Sequence, residues 1–293
     1  MWRADRPQKG RFRQFVQCDI DILGDATSLA EIELITATTT ALGKICPDRK
    51  FTVRINDREI LKAMAMYAGF PGDSTDQVFI TLDKMDKIGM DGVEKELLEL
   101  GYAGEAVKKY GELLSGVQHD AAGVRALGET LAGFLPEGQA ENLADIMDTV
   151  AEVATADFGL EFDPTLVRGM GYYTGTIFEV SMDGFGGSVA GGGRYDKMIG
   201  KFTGMETPAC GFSIGFERIV TILMDAGFTV PAAAPKTAYL FEKGMDRERL
   251  SQVMKEATKE RMAGGQILVA QMNKNKKFQK EQLQKEGYTE FKE

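Results

Sequence analysis

Arginine, glycine and tyrosine are concentrated in one short stretch, RGMGYYTGTIFEV, at residues 168–180. A guanidinium and two phenol hydroxyls are costly to bury unless a polar group meets them, so this stretch predicts a polar ligand.

Near the start of the chain, WRADRPQKGRFRQF places four arginines around a Pro7–Gly10 turn: Arg3, Arg6, Arg11 and Arg13. Because a planar guanidinium can donate to two phosphate oxygens at once and can stack on a purine ring, the pattern favours a nucleotide.

Two glycine-containing segments could also approach a ligand. SVAGGGRYD, at residues 188–196, has three consecutive glycines, which allow a close approach by a ligand or another backbone. A flexible hairpin loop is the alternative interpretation. In GFSIGFERI, Gly211 and Gly215 bracket a short strand, and Arg218 opens the next helix. That arginine lies either at the surface or within reach of a phosphate beside the sheet. Neither segment is a Walker loop or a dinucleotide fingerprint.

Hydrophobic patterning indicates the elements that would position these residues. RFRQFVQCDIDIL, at residues 11–23, alternates as a strand with a polar face (Arg11, Arg13, Gln17, Asp19 and Asp21, with Phe15) and a packed face (Val16, Cys18, Ile20 and Ile22). Residues 28–42 have a helical pattern, 51–57 return to strand, and 58–156 are mostly helical, interrupted at Pro71-Gly72 and Pro136.

The second half of the chain returns to strand patterning. Strand character resumes in the 168–180 stretch and continues through SVAGGGRYDKMIGKF, and GFSIGFERIVTILMDAG predicts a strand that enters a helix. PAAAPK, at 231–236, is a predicted linker. Beyond it, TAYLFEKG, a helix from Asp246, QILVAQ and a lysine-rich helix alternate as in a small α/β domain.

Composition excludes several classes of protein. With 293 residues, 43% of them hydrophobic and 27% charged, the chain is long enough for about two globular domains. The three cysteines have no metal spacing, and no apolar run has the length of a membrane span, so we expect a cytoplasmic protein. The net charge of −9 argues against binding nucleic acid through bulk electrostatics. A local basic patch remains open, and the alternative for it is a solvated helix face: Lys274, Lys276, Lys277 and Lys280.

Taken in order, the motifs resemble the catalytic domain of the histidyl-tRNA synthetase family. ADRPQKGRFRQFVQCDIDILG resembles motif 2 of class II synthetases, and GFSIGFERI resembles motif 3. LVRGMGYYTGTIFEV and GGGRYD are similar to the two histidine-recognition signatures of that family. RINDREIL and TLDKMDK resemble segments that flank its helical insertion. The resemblance covers nearly all of residues 1–293.

The resemblance implies a fold and a division into domains. The fold class is α+β: an antiparallel sheet with flanking helices, a helical insertion, and a partial C-terminal α/β domain. The implied division is 1–57 for the first part of the catalytic core, 58–156 for the insertion, 157–230 for the second part of the core, and 237–293 for a partial anticodon-binding domain.

The resemblance also implies an activity and its partners. Family members activate L-histidine with ATP, with Mg²⁺ on the ATP phosphates, and transfer the histidyl group to tRNA(His). No metal-ligating residues are implied. The family's homodimer is formed through motif 1, so a dimer is an open question for this chain.

Roles for individual residues follow from the same resemblance. Arg3 and Arg168 match catalytic arginines at the α-phosphate; Arg3, Arg11 and Arg218 match ATP-binding positions, with adenine stacked over Arg218. The implied histidine-binding residues are Gln17, Asp21, Arg168, Tyr172, Tyr173, Gly192, Gly193 and Tyr195.

The sequence departs from the family pattern at three places. Gly171 stands where family members commonly carry an aspartate. The chain begins inside motif 2, without motif 1 and the upstream threonine/glutamate loop, and it ends at YTEFKE, short of a complete anticodon-binding fold. The alternative to a ligase is therefore a synthetase-like histidine-binding or regulatory module, as in the regulatory subunit of ATP phosphoribosyltransferase. The retained arginines favour the ligase.

Overall fold

The computed structural model describes residues 1–4, 6–7, 9–168, 171–228 and 236–293. The chain divides into two compact units, Met1–Ala226 and Gly227–Glu293. The predicted linker at 231–236 lies outside the described residues, apart from Lys236. None of the helices in the described ranges combines the length and apolar character needed to cross a membrane.

The first unit is built on a six-stranded sheet. Its strands, in chain order, are β1 (Cys18–Leu23), β2 (Phe51–Asp57), β3 (Gly159–Phe162), β4 (Thr176–Met182), β5 (Ser188–Arg194) and β6 (Ala209–Ile214). The spatial order is β1-β6-β5-β4-β2-β3. Every neighbouring pair is antiparallel except β2 and β3. The predicted α+β class with a mainly antiparallel sheet is confirmed.

Helices flank this sheet and fill the segment between β2 and β3. The described helices of this unit are α1 (Leu29–Ile45), α2 (Arg58–Ala68), α3 (Thr75–Leu82), α4 (Met85–Glu99), α5 (Gly104–Gly116), α6 (Ala121–Thr130), α7 (Gln139–Val153), α8 (Asp196–Thr203) and α9 (Phe216–Asp225). The mostly helical pattern expected for residues 58–156 is therefore confirmed. Gly89, with a φ of 68°, breaks α4 near its start.

Buried apolar side chains of the sheet and helices form one core. Phe178 of β4 and Phe212 of β6 are both buried, and their rings meet edge to face with centroids 4.6 Å apart. Asp57 ends β2 and caps α2, accepting a hydrogen bond from the Glu59 backbone N–H at 2.8 Å. This cap satisfies a backbone donor that the first turn of a helix leaves unpaired.

The structure corrects two of the predicted elements and adds a third that was not predicted. The strand expected over 11–23 begins only at Cys18. Its predicted packed face is largely exposed, since Val16, Cys18 and Ile20 are exposed and Ile22 is half-buried. The strand predicted through SVAGGGRYDKMIGKF ends at Arg194, and α8 follows it. β3 was not predicted, because four residues are too few for a clear period.

The second unit is a small three-stranded α/β unit. Its elements are β7 (Lys236–Phe241), α10 (Arg247–Met262), β8 (Gln266–Gln271), α11 (Lys276–Lys285) and β9 (Tyr288–Lys292). The strands are parallel in the order β8-β7-β9. The alternation expected here is confirmed, and β9 is an additional strand. Two lysines of the basic cluster, Lys276 and Lys280, pair with Glu293, so carboxylates partly offset its charge.

Candidate active site

The first arginines are held by a hairpin. Its arms pair through Trp2 and Gln14, and the Arg3 N–H donates to the Arg13 carbonyl at 2.8 Å. Arg3 Nε also donates to the Phe12 carbonyl at 2.8 Å, and its guanidinium lies 4.3 Å from the centre of the Phe15 ring. These contacts hold the Arg3 side chain against the second arm of the hairpin.

The triple glycine forms part of the floor of the site. A Cβ at Gly191 would lie 3.3 Å from Arg168 Nη1, and a Cβ at Gly193 would lie 3.1 Å from the Tyr173 ring. On the next strand, a Cβ at Gly211 would come within 1.9 Å of Asp21 Oδ1. These three glycines share one face of the sheet, because Gly191 and Gly193 are two residues apart and Gly193 pairs with Gly211. The floor therefore lets polar side chains lie directly on the backbone.

Gly192 points to the other face. A Cβ there would collide with the Gly211 carbonyl at 2.0 Å and with the rings of Phe178 and Phe212 at 2.6 and 2.7 Å. Core packing is thus sufficient to require a glycine at this position. The histidine-binding role of Gly192 stays a prediction, and Gly191 occupies the site-facing position that sequence reasoning did not single out.

Arg168 is held from two sides. Its Nε donates to the Glu179 carboxylate in a short contact, and its Nη2 donates to Ser188 Oγ at 2.8 Å. Glu179 is buried and also accepts from Arg54 Nη2 at 3.2 Å, and Arg54 Nη1 donates to Asp163 at 3.0 Å. Burial lowers the pKa of Arg168, but the hydrogen bond and charge of Glu179 outweigh it and raise the pKa above its ordinary value. Arg168 therefore remains a fixed cation.

Arg218 is anchored to the same strand. Its Nη1 donates to the Ser188 carbonyl in a short contact and to Ser188 Oγ at 3.0 Å. Burial lowers the pKa of Arg218, and the positive charges of Arg168, Arg11 and Arg3 lower it further. The structure thus concentrates like charges here, an arrangement that an anionic ligand would stabilise.

One cavity of about 220 Å³ brings together four of the predicted site residues: Arg3, Gln17, Arg168 and Arg218. Gly191 and Ser188 also line it. Glu217, at the start of α9, lines the same cavity and accepts a hydrogen bond from the Val16 N–H at 2.6 Å, which ties the hairpin to the helix. A neighbouring cavity of about 650 Å³ contains Arg11 together with Arg168 and Arg218.

The predicted tyrosines lie nearby in two groups. Tyr172 and Tyr173 line a further cavity of about 430 Å³, with ring centroids 4.3 Å apart. Burial, followed by the hydrogen bond with Tyr172, raises the pKa of Tyr173, so its hydroxyl stays protonated. Gly171 lines the same cavity, whereas Gly169 and Met170 of the signature lie outside the described residues.

Tyr195 and Asp21 form a direct pair. The Tyr195 hydroxyl donates to Asp21 Oδ1 in a short hydrogen bond across Gly211. Burial and then this bond raise the pKa of Tyr195. Neither residue lines the three cavities above, so the pair lies beside the arginine cluster.

Sequence reasoning missed the residues that support the arginines. Ser188 and Glu179 each contact Arg168. Arg194, which was also not predicted, has a separate role: it holds the N-terminal turn of α1 through Glu31, with Nη2 to Oε2 at 2.6 Å. A charged residue inside the buried strand TIFEV was the one available signal for Glu179, because a buried carboxylate needs a cationic partner. Within the described ranges, the His, Cys, Asp and Glu side chains form no group of three suited to a metal ion.

A mainly antiparallel sheet that carries a cluster of arginines over a glycine floor defines a class II aminoacyl-tRNA synthetase fold. Comparison with known proteins gives the particular family. The family model described as histidyl-tRNA synthetase matches residues 1–219, and the chain belongs to that family.

Individual relatives agree with this assignment. The histidine–tRNA ligase of Leifsonia xyli subsp. xyli is 49% identical over 228 residues, covering 76% of this chain and 52% of the relative. The histidine–tRNA ligase of Aeropyrum pernix is 38% identical over 232 residues, covering 78% and 51%. The chain therefore spans about half the length of the curated relatives it matches.

Solved structures share the fold. The histidyl-tRNA synthetase of Nostoc sp. PCC 7120 superposes with a TM-score of 0.72 at 26% identity, covering 94% of this chain and 65% of that one. A Bacillus halodurans structure described as an ATP phosphoribosyltransferase regulatory subunit/histidyl-tRNA synthetase gives 0.70 at 21% identity, covering 97% and 69%. At that identity the second likeness concerns the fold alone.

Proposed function

We propose that this chain carries the amino-acid-activating site of a histidine–tRNA ligase, which converts L-histidine and ATP to histidyl-adenylate and pyrophosphate and passes the histidyl group to tRNA(His). The observation that carries the proposal is the single cavity that contains Arg3, Arg168, Arg218 and Gln17. Three guanidinium groups and one amide on one cavity suit a ligand with both phosphate and amino-acid groups.

The reaction needs positioning and charge stabilisation. A carboxylate oxygen of histidine attacks the α-phosphorus of ATP, the bond to the bridging oxygen breaks, and pyrophosphate leaves with the bonding electrons. Arg3 and Arg168 would contact the α-phosphate, where negative charge increases in the pentavalent transition state. Their fixation by Phe12, Glu179 and Ser188 means that little reorganisation is needed during the reaction.

Arg218 and Arg11 would make the contacts to the adenine and to the γ-phosphate of ATP. Arg218 would place its guanidinium plane under the adenine, and Arg11 would meet the γ-phosphate. Mg²⁺ would be held mainly by the phosphate oxygens of ATP and would neutralise part of their charge. Glu217 is the carboxylate that lines the cavity and suits such an ion.

Histidine would be recognised on the tyrosine side of the glycine floor. Imidazole presents one donor and one acceptor at neutral pH, so a pocket that satisfies both rejects apolar analogues. Tyr172 and Tyr173 would line the imidazole pocket over Gly193, and the Tyr195–Asp21 pair and Gln17 would complete the polar contacts.

The domain roles extend this proposal. Residues 1–57 and 157–230 would form the catalytic core, 58–156 the insertion, and 237–293 an anticodon-binding region that meets tRNA. A homodimer is proposed for the full-length ligase, which would act in the cytoplasm.

Histidine-dependent exchange of labelled pyrophosphate into ATP tests the proposal. We expect exchange with histidine and none with other amino acids. Arg168→Ala should abolish it, whereas Arg125→Ala, a surface arginine that links α6 to α7, should retain it. Absence of exchange from a chain that binds both histidine and ATP would contradict the proposal.

A regulatory or histidine-sensing module is the second candidate, favoured by the fold shared with the Bacillus halodurans protein. A histidine sensor needs the histidine pocket but does not need residues that bind ATP. Calorimetry separates the two, because a sensor would bind histidine with no measurable ATP binding. A ligase would bind both.

A further inference from the structure

Beyond the predicted arginines, the cavity of about 650 Å³ collects three further cations. Lys9, Arg49 and Lys87 line it together with Arg11, Arg168 and Arg218. Arg49 comes from the connection between α1 and β2, and Lys87 from the first turns of α4 in the helical segment. Asp225 is the one acidic side chain among the described residues that line this cavity, and Lys9 contacts it at 2.7 Å.

The charge of this cavity is opposite in sign to the net charge of the chain. The chain carries a net charge of −9, yet six cationic side chains share this cavity with one carboxylate. Their proximity costs electrostatic free energy unless an anion enters. Burial and then the charges of the neighbouring arginines lower the pKa of Arg218, which lines the same cavity.

The cavity shares lining residues with the candidate active site. Arg168, Ser188 and Arg218 line both it and the cavity of about 220 Å³ in which the α-phosphate is proposed to lie. The outer wall is the turn between β4 and β5, where Arg49 Nη1 donates to the Asp183 carbonyl at 3.4 Å. A Cβ at Gly184, whose φ is 79°, would lie 3.0 Å from the same nitrogen, so the turn backbone and the guanidinium lie against each other.

We propose that Arg49 and Lys87 form the outer end of a polyphosphate subsite, which holds the terminal phosphates of the nucleotide and the pyrophosphate that leaves. This inference rests on the proposed function for the source of the pyrophosphate. Arg168 would contact oxygens of the α-phosphate that reacts, and Arg49 and Lys87, with Arg11, would stabilise the two phosphates of the leaving group. Lys87 thereby gives the helical segment a part in substrate binding.

Calorimetric titration with inorganic pyrophosphate tests the subsite without any turnover. The Arg49→Ala/Lys87→Ala double variant should lose about tenfold or more in pyrophosphate affinity, as expected for two lost charge-assisted contacts. Its AMP affinity should stay within about twofold, because AMP lacks the outer phosphates. Arg49→Lys should restore part of the loss, because it retains the charge.

The matched control is Lys44→Ala/Lys95→Ala. It also removes two positive charges, one from α1 and one from α4, but neither lysine lines the cavity. Pyrophosphate affinity should therefore stay within about twofold of the wild type. Thermal melting of each variant confirms that it is folded. A double variant with unchanged pyrophosphate affinity, or with an equal loss for AMP, would overturn the subsite. So would a loss seen for a short RNA hairpin and not for pyrophosphate.

The two proposals can fail separately. If exchange is absent but the double variant still loses pyrophosphate affinity selectively, the subsite stands and the ligase activity does not. If exchange occurs while pyrophosphate affinity is indifferent to Arg49 and Lys87, the ligase activity stands and the subsite falls.

Discussion

Arg168 and Arg218 donate to the same oxygen, Ser188 Oγ, at 2.8 and 3.0 Å. Two guanidinium groups are thus brought together on one neutral acceptor, on the edge of the cavity that also contains Arg3. Their repulsion is present before any ligand binds, and a phosphate between them would convert it to attraction. The structure is therefore preorganised for an anion at this point.

Replacing the shared acceptor should loosen both arginines. We predict that Ser188→Ala lowers the rate of histidine-dependent pyrophosphate exchange about tenfold, because a hydrogen bond to a charged group contributes about 1.5 to 3 kcal/mol. The control is Ser181→Ala in neighbouring β4, whose hydroxyl contacts the Thr52 carbonyl at 3.4 Å. Equal rates for the two variants would show that Ser188 has no part in orienting the arginines.

Glu179 should act as a positioning residue for Arg168. Glu179→Gln keeps the shape of the side chain but loses its charge, which roughly halves the strength of its hydrogen bonds. We expect kcat of exchange to fall about tenfold, with a smaller change in KM for histidine, and no further loss of residual exchange when Glu179→Gln is added to Arg168→Ala. Glu161→Gln, on the exposed face of β3, is the control. Additive losses in the double variant would rule out action through Arg168.

The Tyr195–Asp21 pair should affect histidine more than ATP. Tyr195→Phe removes the donor that Asp21 accepts, leaving the carboxylate without its close partner. We predict that the dissociation constant for histidine rises about tenfold while that for ATP stays within about twofold. Calorimetry with each ligand measures this, with Tyr67→Phe in α2 as the control. A loss of ATP affinity as large as that for histidine would contradict the assignment.

Gly171 has room for a carboxylate side chain. Among the described residues, a Cβ at Gly171 meets no atom within 4 Å, and the position lines the cavity of Tyr172 and Tyr173. Gly171→Asp should therefore fold normally and, by adding a charged acceptor beside the tyrosines, strengthen histidine binding by about tenfold or less. Gly211→Asp, in contrast, should disrupt the site, because a Cβ there comes within 1.9 Å of Asp21. Histidine affinity that is unchanged by Gly171→Asp would place the imidazole elsewhere.

Asp57 should make stability depend on pH. Burial raises the pKa of Asp57 to about 6, above the ordinary value of about 3.9 for an aspartate, despite hydrogen bonds from the Glu59 backbone and from Gln139. Between these values the folded state binds more protons than the unfolded state, so this group lowers the free energy of unfolding as pH rises through the window. The total is about 2 to 3 kcal/mol at most.

Asp57→Asn removes this titration and keeps a side chain able to cap α2. The variant should therefore gain stability relative to wild type as pH rises from about 4 to about 7, measured by urea unfolding. Asp91→Asn, an exposed position in α4, provides the comparison. A difference in the free energy of unfolding between Asp57→Asn and wild type that stays constant across this pH range would show that Asp57 does not titrate as predicted.

Several elements could be predicted from sequence because their signals are local. β2 at Phe51–Asp57 and β8 at Gln266–Gln271 have the predicted bounds, and α10 begins after the predicted Asp246. Helix caps and the alternation of apolar and polar residues in a strand depend on a few neighbouring residues, so the sequence alone is enough to predict them. The exposure of β1 could not, because alternation shows which residues share a face and not whether another element covers that face.

The supporting contacts of the site were beyond sequence reasoning. Arg168 and Glu179 are eleven residues apart, and Arg218 reaches Ser188 across thirty, so only the sheet register brings them together. The same applies to Arg49 and Lys87, whose shared cavity depends on how α1, α4 and the β4–β5 turn are placed. The motif order predicted the residue types of the site, and the fold supplied their partners.

We propose that the site holds histidine and adenosine on either side of one phosphate, next to Arg168. Calorimetry with a non-hydrolysable histidyl-sulfamoyl-adenosine tests it most directly, because that compound joins the two groups as the intermediate does. We expect this compound to bind at least about a hundredfold more tightly than histidine or AMP alone, with Arg168→Ala weakening its binding about tenfold or more. An affinity no better than that of histidine, and indifferent to Arg168→Ala, would contradict it.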